Sequence, residues 1–164
     1  IQSVRDAGKP LIIATQMLES MINSPTPTRA EASDVATAVF DGADAVMTSA
    51  ETASGEFPLE TVTIMDKVAR TVEGSDIYAD LMDHRALKTQ QTVSGAITVA
   101  AHHVAHTLDA KAIATFSTSG QTALRMVRER PRVPVVCLSP DPKIVRRLAL
   151  SFGANPVLVQ AMAK

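Results

Sequence analysis

Thr15 and Gln16 follow one short apolar run, residues 11–14, and Ser49, Glu51 and Thr52 follow another, residues 45–47. Hydroxyls beside a carboxylate at the end of a strand could relay a proton or anchor a carboxylate substrate. A third cluster, Ser117, Thr118, Ser119, Gly120 and Thr122, separates the apolar run 112–116 from a helical pattern. Backbone N–H groups at a helix start are unpaired and favour negative charge, hydroxyls add donors, and a glycine lets an anion approach the backbone. Each cluster has a plainer alternative. Thr15 could cap the helix that follows it, residues 49–52 could be a solvated loop, and the serine-rich loop could be an ordinary helix cap, which needs a single hydroxyl. The excess of hydroxyls favours an anion, such as a phosphate, at the third cluster. It is not a Walker A loop, since no GKS or GKT is present. His102 and His106 have a spacing that can hold zinc, but there is no HExxH and no evident third ligand. Histidines on a polar helix face, opposite an apolar stripe, are the favoured reading, and no metal site is assigned.

These residues need elements to position them. Gly8, Lys9 and Pro10 break the chain ahead of a strand over about residues 11–15. A short helical segment at 17–22 is stopped by Pro25 and Pro27. Thr28 and Glu31 form a capping box for a helix over 29–40, which Asp41 and Gly42 close. A second strand follows at 45–47, and residues 49–58 read as a loop. Pro58 suits the first turn of a further helix. Val62, Met65, Val68, Ala69 and Val72 form its apolar stripe. Residues 75–92 are polar and charge-mixed and read as a linker. Beyond it comes a helix over 93–108, with Ile97, Ala101, Val104 and Leu108 on one face. Strands then alternate with helices: strand 112–116, a helix carrying Arg125, Arg128 and Arg130, strand 133–138, a short helix to Leu150, and a last strand at 157–160. This alternation predicts an α/β fold with a parallel sheet between helices.

Composition narrows the function classes. Of 164 residues, 46% are apolar, enough for a core, but only 3% are aromatic, so aliphatic residues and Met must fill it. The net charge of −1 conceals a balance of −7 over residues 1–91 and +6 over 92–164. An acidic half suits a cation-dependent site and a basic half suits an anion. Nucleic acid is disfavoured, because no Lys/Arg run or aromatic platform accompanies the basic half. No apolar run approaches the ~18 residues of a membrane span. The opening IQSVRDAGKP does not read as a signal peptide and looks like the interior of a longer chain. The single Cys137 cannot form an intramolecular disulfide, which fits a reducing cytoplasm.

Long motifs carry a family resemblance. GKPLIIATQMLESM (8–21), PTPTRAEASDVATAVFDGADAVM (25–47) and SAETASGEFPLETV (49–62) resemble the last two strand–helix units of the pyruvate kinase barrel. Residues 94–148 resemble the carboxy-terminal domain of the same family. The resemblance implies a partial TIM-barrel segment at 1–74, a linker at 75–92, and a three-layer α/β/α carboxy-terminal domain at 93–164, short of its last strand. It further implies phosphoryl transfer from phosphoenolpyruvate to ADP, giving pyruvate and ATP, with Mg²⁺ and K⁺ in the parent enzyme and neither bound by this chain alone.

The resemblance also assigns roles. Thr15 holds the place of a threonine beside the substrate. Ser49 and Glu51 hold places in the network that delivers a proton to enolpyruvate. Arg29 holds the place of an arginine at a subunit contact of a tetramer. Ser117, Thr118, Ser119, Gly120 and Thr122 match the loop that holds a phosphate of an effector. Two departures stand out: Ala50 replaces a glycine of the family's LSGET pattern, and Thr118 stands where some members have lysine. The catalytic lysine and the metal ligands precede these motifs in the family, so the chain alone is expected to be inactive. The alternative function is a stand-alone module that binds a sugar phosphate or nucleotide.

Overall fold

The computed structural model describes residues 1–14, 16–84 and 92–160. The chain divides into two compact units, Ile1–Gln2 with Leu11–Leu81, and Ser3–Pro10 with Met82–Lys164. A short helix α1 (Gln2–Asp6) opens the chain, and all but its first residue belongs to the second unit.

The first unit is built on one parallel strand pair. Strand β1 (Ile12–Ile13) lies beside β2 (Ala45–Val46), with Ile12 opposite Ala45 and Ile13 opposite Val46. Between them come a 3₁₀ turn (Glu19–Ile22) and helix α2 (Arg29–Phe40). The expected capping box is present: the Glu31 N–H donates to Thr28 Oγ1 at 3.3 Å, and the Thr28 N–H donates to Glu31 Oε2 at 2.8 Å. Asp44 fixes the start of β1, because its carboxylate accepts the Leu11 N–H at 2.8 Å. Met17, Leu18, Met21, Val35, Ala38 and Met65 form the core, and Ile13 and Val46 pack against it from the strands. The segment that reads as a loop contains a short helix, α3 (Ala50–Ala53), because the Ser49 carbonyl accepts from the N–H groups of Thr52 and Ala53.

Helix α4 (Pro58–Glu73) starts at Pro58 as expected. Of the predicted stripe, Met65 is buried and Val68 packs against the core, but at its start Thr61 is fully buried and Val62 is exposed. Thr61 can sit there because its hydroxyl donates to the Phe57 carbonyl at 2.8 Å, which satisfies the polar group internally. Helix α5 (Asp76–His84) occupies part of the segment that reads as a linker. Tyr78 and Met82, four residues apart on one face, are both buried.

In the second unit, α6 (Val93–Thr107) is capped by Thr92, whose hydroxyl accepts the Gly95 N–H at 3.1 Å. Strands β3 (Ile113–Phe116), β4 (Val135–Ser139) and β5 (Ala154–Leu158) form an all-parallel sheet in the order β3-β4-β5. Helices α7 (Gln121–Arg128) and α8 (Pro142–Leu148) are the crossovers. Pro156, expected just ahead of the last strand, lies inside β5; the edge position tolerates its missing N–H. Ala123, Met126, Val127, Val135, Cys137 and Leu148 form the core.

The buried face of α6 corrects the sequence reading. Gly95, Thr98 and Ala105 point inward, whereas Ile97, Val104 and Leu108 are exposed. Small residues permit close approach of a neighbouring element, and a helix apolar on more than one side does not announce which side turns in. The histidines follow from this rotation. His102 is partly covered, not on an open polar face, and its Nε2 lies 3.5 Å from Asp83 Oδ1.

Candidate functional sites

In the first unit the strand register sets the geometry. Ile13 stands beside Val46, and the Met47 N–H continues the ladder by donating to the Ile13 carbonyl at 2.9 Å. The carboxyl ends of β1 and β2 therefore lie side by side, where ligands of parallel α/β sheets and barrels bind. Ser49 and Glu51 come together at the end of β2. The Ser49 N–H donates to Glu51 Oε2 at 2.9 Å. Glu51 is only 2% exposed, and its Oε1 has no hydrogen-bond partner among the described residues. A buried carboxylate oxygen left open can accept a proton or a donor from a ligand. Ser49 itself is exposed. Thr15 lies outside the described residues. Gln16 is exposed and turned to Glu19, its Nε2 donating to Oε1 at 3.0 Å.

Thr52, named with Ser49 and Glu51 by the sequence, is joined here by Thr48 and Gly55, which the sequence reading does not single out. Thr48 Oγ1 and Thr52 Oγ1 are 2.7 Å apart. Gly55 lies against the Glu51 backbone. Glu31 does more than cap its helix: it accepts the Ser20 N–H at 2.7 Å and also the Ser20 hydroxyl. Burial alone would raise the Glu31 pKa, but the hydrogen bonds from Ser20 and Thr28 outweigh it and hold the carboxyl at about 2. No local signal marks the Ser20 contact, which spans eleven residues. Arg29 is exposed at the first position of α2.

In the second unit, the loop between β3 and α7 is held in a fixed shape. Gly120 caps α7 with φ of 80°, a left-handed conformation that disfavours side chains. A Cβ there would also meet Ile144 Cγ2 at 3.0 Å and Arg147 Nη2 at 3.2 Å. Ser117 is buried, and its hydroxyl accepts the Gly120 N–H at 2.9 Å. Thr118, Ser119 and Thr122 are exposed. Arg147 Nη2 donates to the Ser119 carbonyl at 2.7 Å and so brings a guanidinium to the loop. Ser117 is thus turned to building the loop, while the other hydroxyls and Arg147 remain at its surface.

Two further groups bear on chemistry. Burial pushes the Cys137 thiol up, as suits an inert core residue. Burial likewise lowers the His102 pKa, against the pull of Asp83, which Arg132 also engages at 2.6 Å. Among the described residues, no three His, Cys, Asp or Glu side chains are gathered to hold a metal ion.

Comparison with known proteins covers both units. Residues 1–62 match the family model of the pyruvate kinase barrel domain, and residues 95–164 match that of the pyruvate kinase alpha/beta domain. A pyruvate kinase of Methylorubrum extorquens is 46% identical over 156 residues, which is 95% of this chain and 33% of that protein. One from Dictyostelium discoideum is 47% identical over 161 residues, covering 95% of this chain and 32% of that protein. The crystal structure of a pyruvate kinase from Cryptosporidium parvum superposes with a TM-score of 0.88 at 39% identity, covering 96% of this chain and 32% of that one. The chain spans about a third of the length of the curated relatives it matches.

Proposed function

The chain belongs to the pyruvate kinase family, and from that premise we propose that it works within an enzyme transferring phosphoryl from phosphoenolpyruvate to ADP. In that reaction a terminal ADP oxygen attacks phosphorus and the phosphoryl–enol oxygen bond breaks. The enolate so released takes a proton at its methylene carbon, and pyruvate results. In this reading the chain supplies the second half of the chemistry: Ser49 and Glu51 take part in delivering the proton, and Thr15 has the role of the family's threonine beside the substrate. The observation that carries this reading is the buried Glu51 carboxylate tied to the Ser49 backbone at the end of a parallel strand pair.

Phosphoryl transfer also needs charge neutralisation, for which Mg²⁺ and K⁺ serve in the parent enzyme. The resemblance places the catalytic lysine and the metal ligands outside the motifs matched here, and among the described residues no three His, Cys, Asp or Glu side chains are gathered. In our reading the chain alone is inactive as a kinase.

Residues 93–164 act as the effector domain, with 1–74 as the barrel segment and 75–92 joining them. Thr118, Ser119, Thr122 and the backbone at Gly120 receive a phosphate of a sugar phosphate or nucleotide, Ser117 shapes the loop, and Arg147 adds positive charge. Arg29, exposed at the start of α2, meets another copy in a tetramer. We place the enzyme in the cytoplasm. No described helix is long and apolar enough to cross a membrane.

The test is kinetic. In the full-length enzyme, Ser49→Ala should lower kcat by about 10²-fold or more while moving KM little, as removal of a positioned proton donor does. An unchanged kcat overturns the assignment.

A further inference from the structure

We propose that Thr48 is a positioning residue for the Ser49 hydroxyl, an inference that rests on the proton-delivery reading above. Thr48 Oγ1 lies 2.7 Å from Thr52 Oγ1, and Thr52 Oγ1 lies 3.3 Å from the Ser49 carbonyl, to which it donates. A hydroxyl carries one hydrogen. When Thr52 donates to Ser49, Thr48 must be the donor to Thr52. In that arrangement the chain runs from the Thr48 O–H to Thr52 and from the Thr52 O–H to the Ser49 C=O.

Both backbone polar groups of Ser49 are engaged. Its carbonyl takes the Thr52 hydroxyl, and its N–H is donated to Glu51 Oε2 at 2.9 Å. Ser49 sits at φ −128° and ψ −112°, neither helical nor extended, and its carbonyl also accepts the first N–H groups of α3, from Thr52 at 3.2 Å and Ala53 at 3.0 Å. The hydroxyl chain bridges the residue that ends the strand side of this turn and the third residue of α3. With both backbone groups held, the Ser49 side-chain torsion decides where its hydroxyl points. Position matters because a proton donor displaced by even a fraction of the reacting distance loses much of its effect.

The experiment separates proton transfer from phosphoryl transfer in the full-length enzyme. Exchange of pyruvate methyl hydrogens for deuterium is followed by NMR in heavy water, alongside the KM for phosphoenolpyruvate. Thr48→Val keeps the shape and removes the hydrogen. It should slow exchange about tenfold and leave KM within about twofold. Thr48→Ser, which retains the hydroxyl, should restore exchange. If the valine variant does not fold, Thr48→Ala carries the same expectation. Undiminished exchange in the variant lacking the hydroxyl, or failure of Thr48→Ser to restore it, overturns the proposal. Ser49→Ala in the same assay tells the two readings apart. If it leaves exchange intact, the proton-delivery reading fails as well; if it abolishes exchange while Thr48→Val does not, Thr48 alone is dismissed.

Discussion

Gly55 packs directly on the backbone of Glu51: a Cβ at Gly55 would stand 2.6 Å from the Glu51 carbonyl oxygen and 3.1 Å from Ile22 Cα. Both obstacles are main chain and cannot swing aside. Glu56 binds the same neighbour, its N–H donating to the Ile22 carbonyl at 2.8 Å. The turn after α3 is therefore wedged between the 3₁₀ segment and the helix that carries the buried carboxylate. Gly55→Ala should destabilise this unit by about 1–3 kcal/mol, the usual cost of overpacking. Thermal or urea unfolding of the full-length enzyme reads that loss. Full stability in the alanine variant would show that the close approach is not obligatory.

Glu31 makes the first unit sensitive to acid. Its carboxyl is ordinarily near 4.5 and is held at about 2 in the fold. Between those values the unfolded chain binds a proton that the folded chain refuses, so stability falls as pH falls. The contribution is complete above the unfolded value and is lost as pH drops through the folded one. Glu31→Gln should flatten this part of the pH–stability profile, and at neutral pH it should cost about 1–2 kcal/mol through the weakened cap and the Ser20 contact. Denaturant midpoints at a series of pH values provide the check. An unchanged acid slope in the glutamine variant would assign the lability to other carboxylates.

The serine-rich loop and Arg147 should act together on an anion. Arg147→Ala releases the Ser119 carbonyl, and Ser119→Ala removes an exposed hydroxyl. Each should weaken binding of a sugar monophosphate or AMP about fivefold or more, the value of one hydrogen bond. Added salt should weaken the parent protein further than the Arg147→Ala variant. Calorimetry measures all three. Binding insensitive to both substitutions would move the phosphate elsewhere.

The sequence is most readable where the physics is local. The capping box joins Thr28 to Glu31, three residues on, and it forms as expected. The alternation of strands and helices in the second unit follows from short apolar runs and turn residues, and the strands pair in parallel. A thiol inside an apolar run is buried, as Cys137 is. What escapes is whatever distant packing decides. On α6, Ile97 and Val104 outrank Gly95 and Ala105 in hydropathy, yet the small residues turn inward. On α4, Thr61 displaces Val62 because its own helix satisfies its hydroxyl. The Arg147–Ser119 contact spans twenty-eight residues and leaves no mark in either local sequence. The short helix α3 is hidden because Ser, Ala, Glu and Thr suit a loop as well as a single turn.

The most direct measurement is turnover of phosphoenolpyruvate and ADP in a coupled assay, made on the 164-residue chain and on the same chain within a full-length pyruvate kinase. The account predicts turnover by the full-length enzyme and none by the isolated chain. Turnover by the isolated chain, or its absence in the full-length protein, contradicts it.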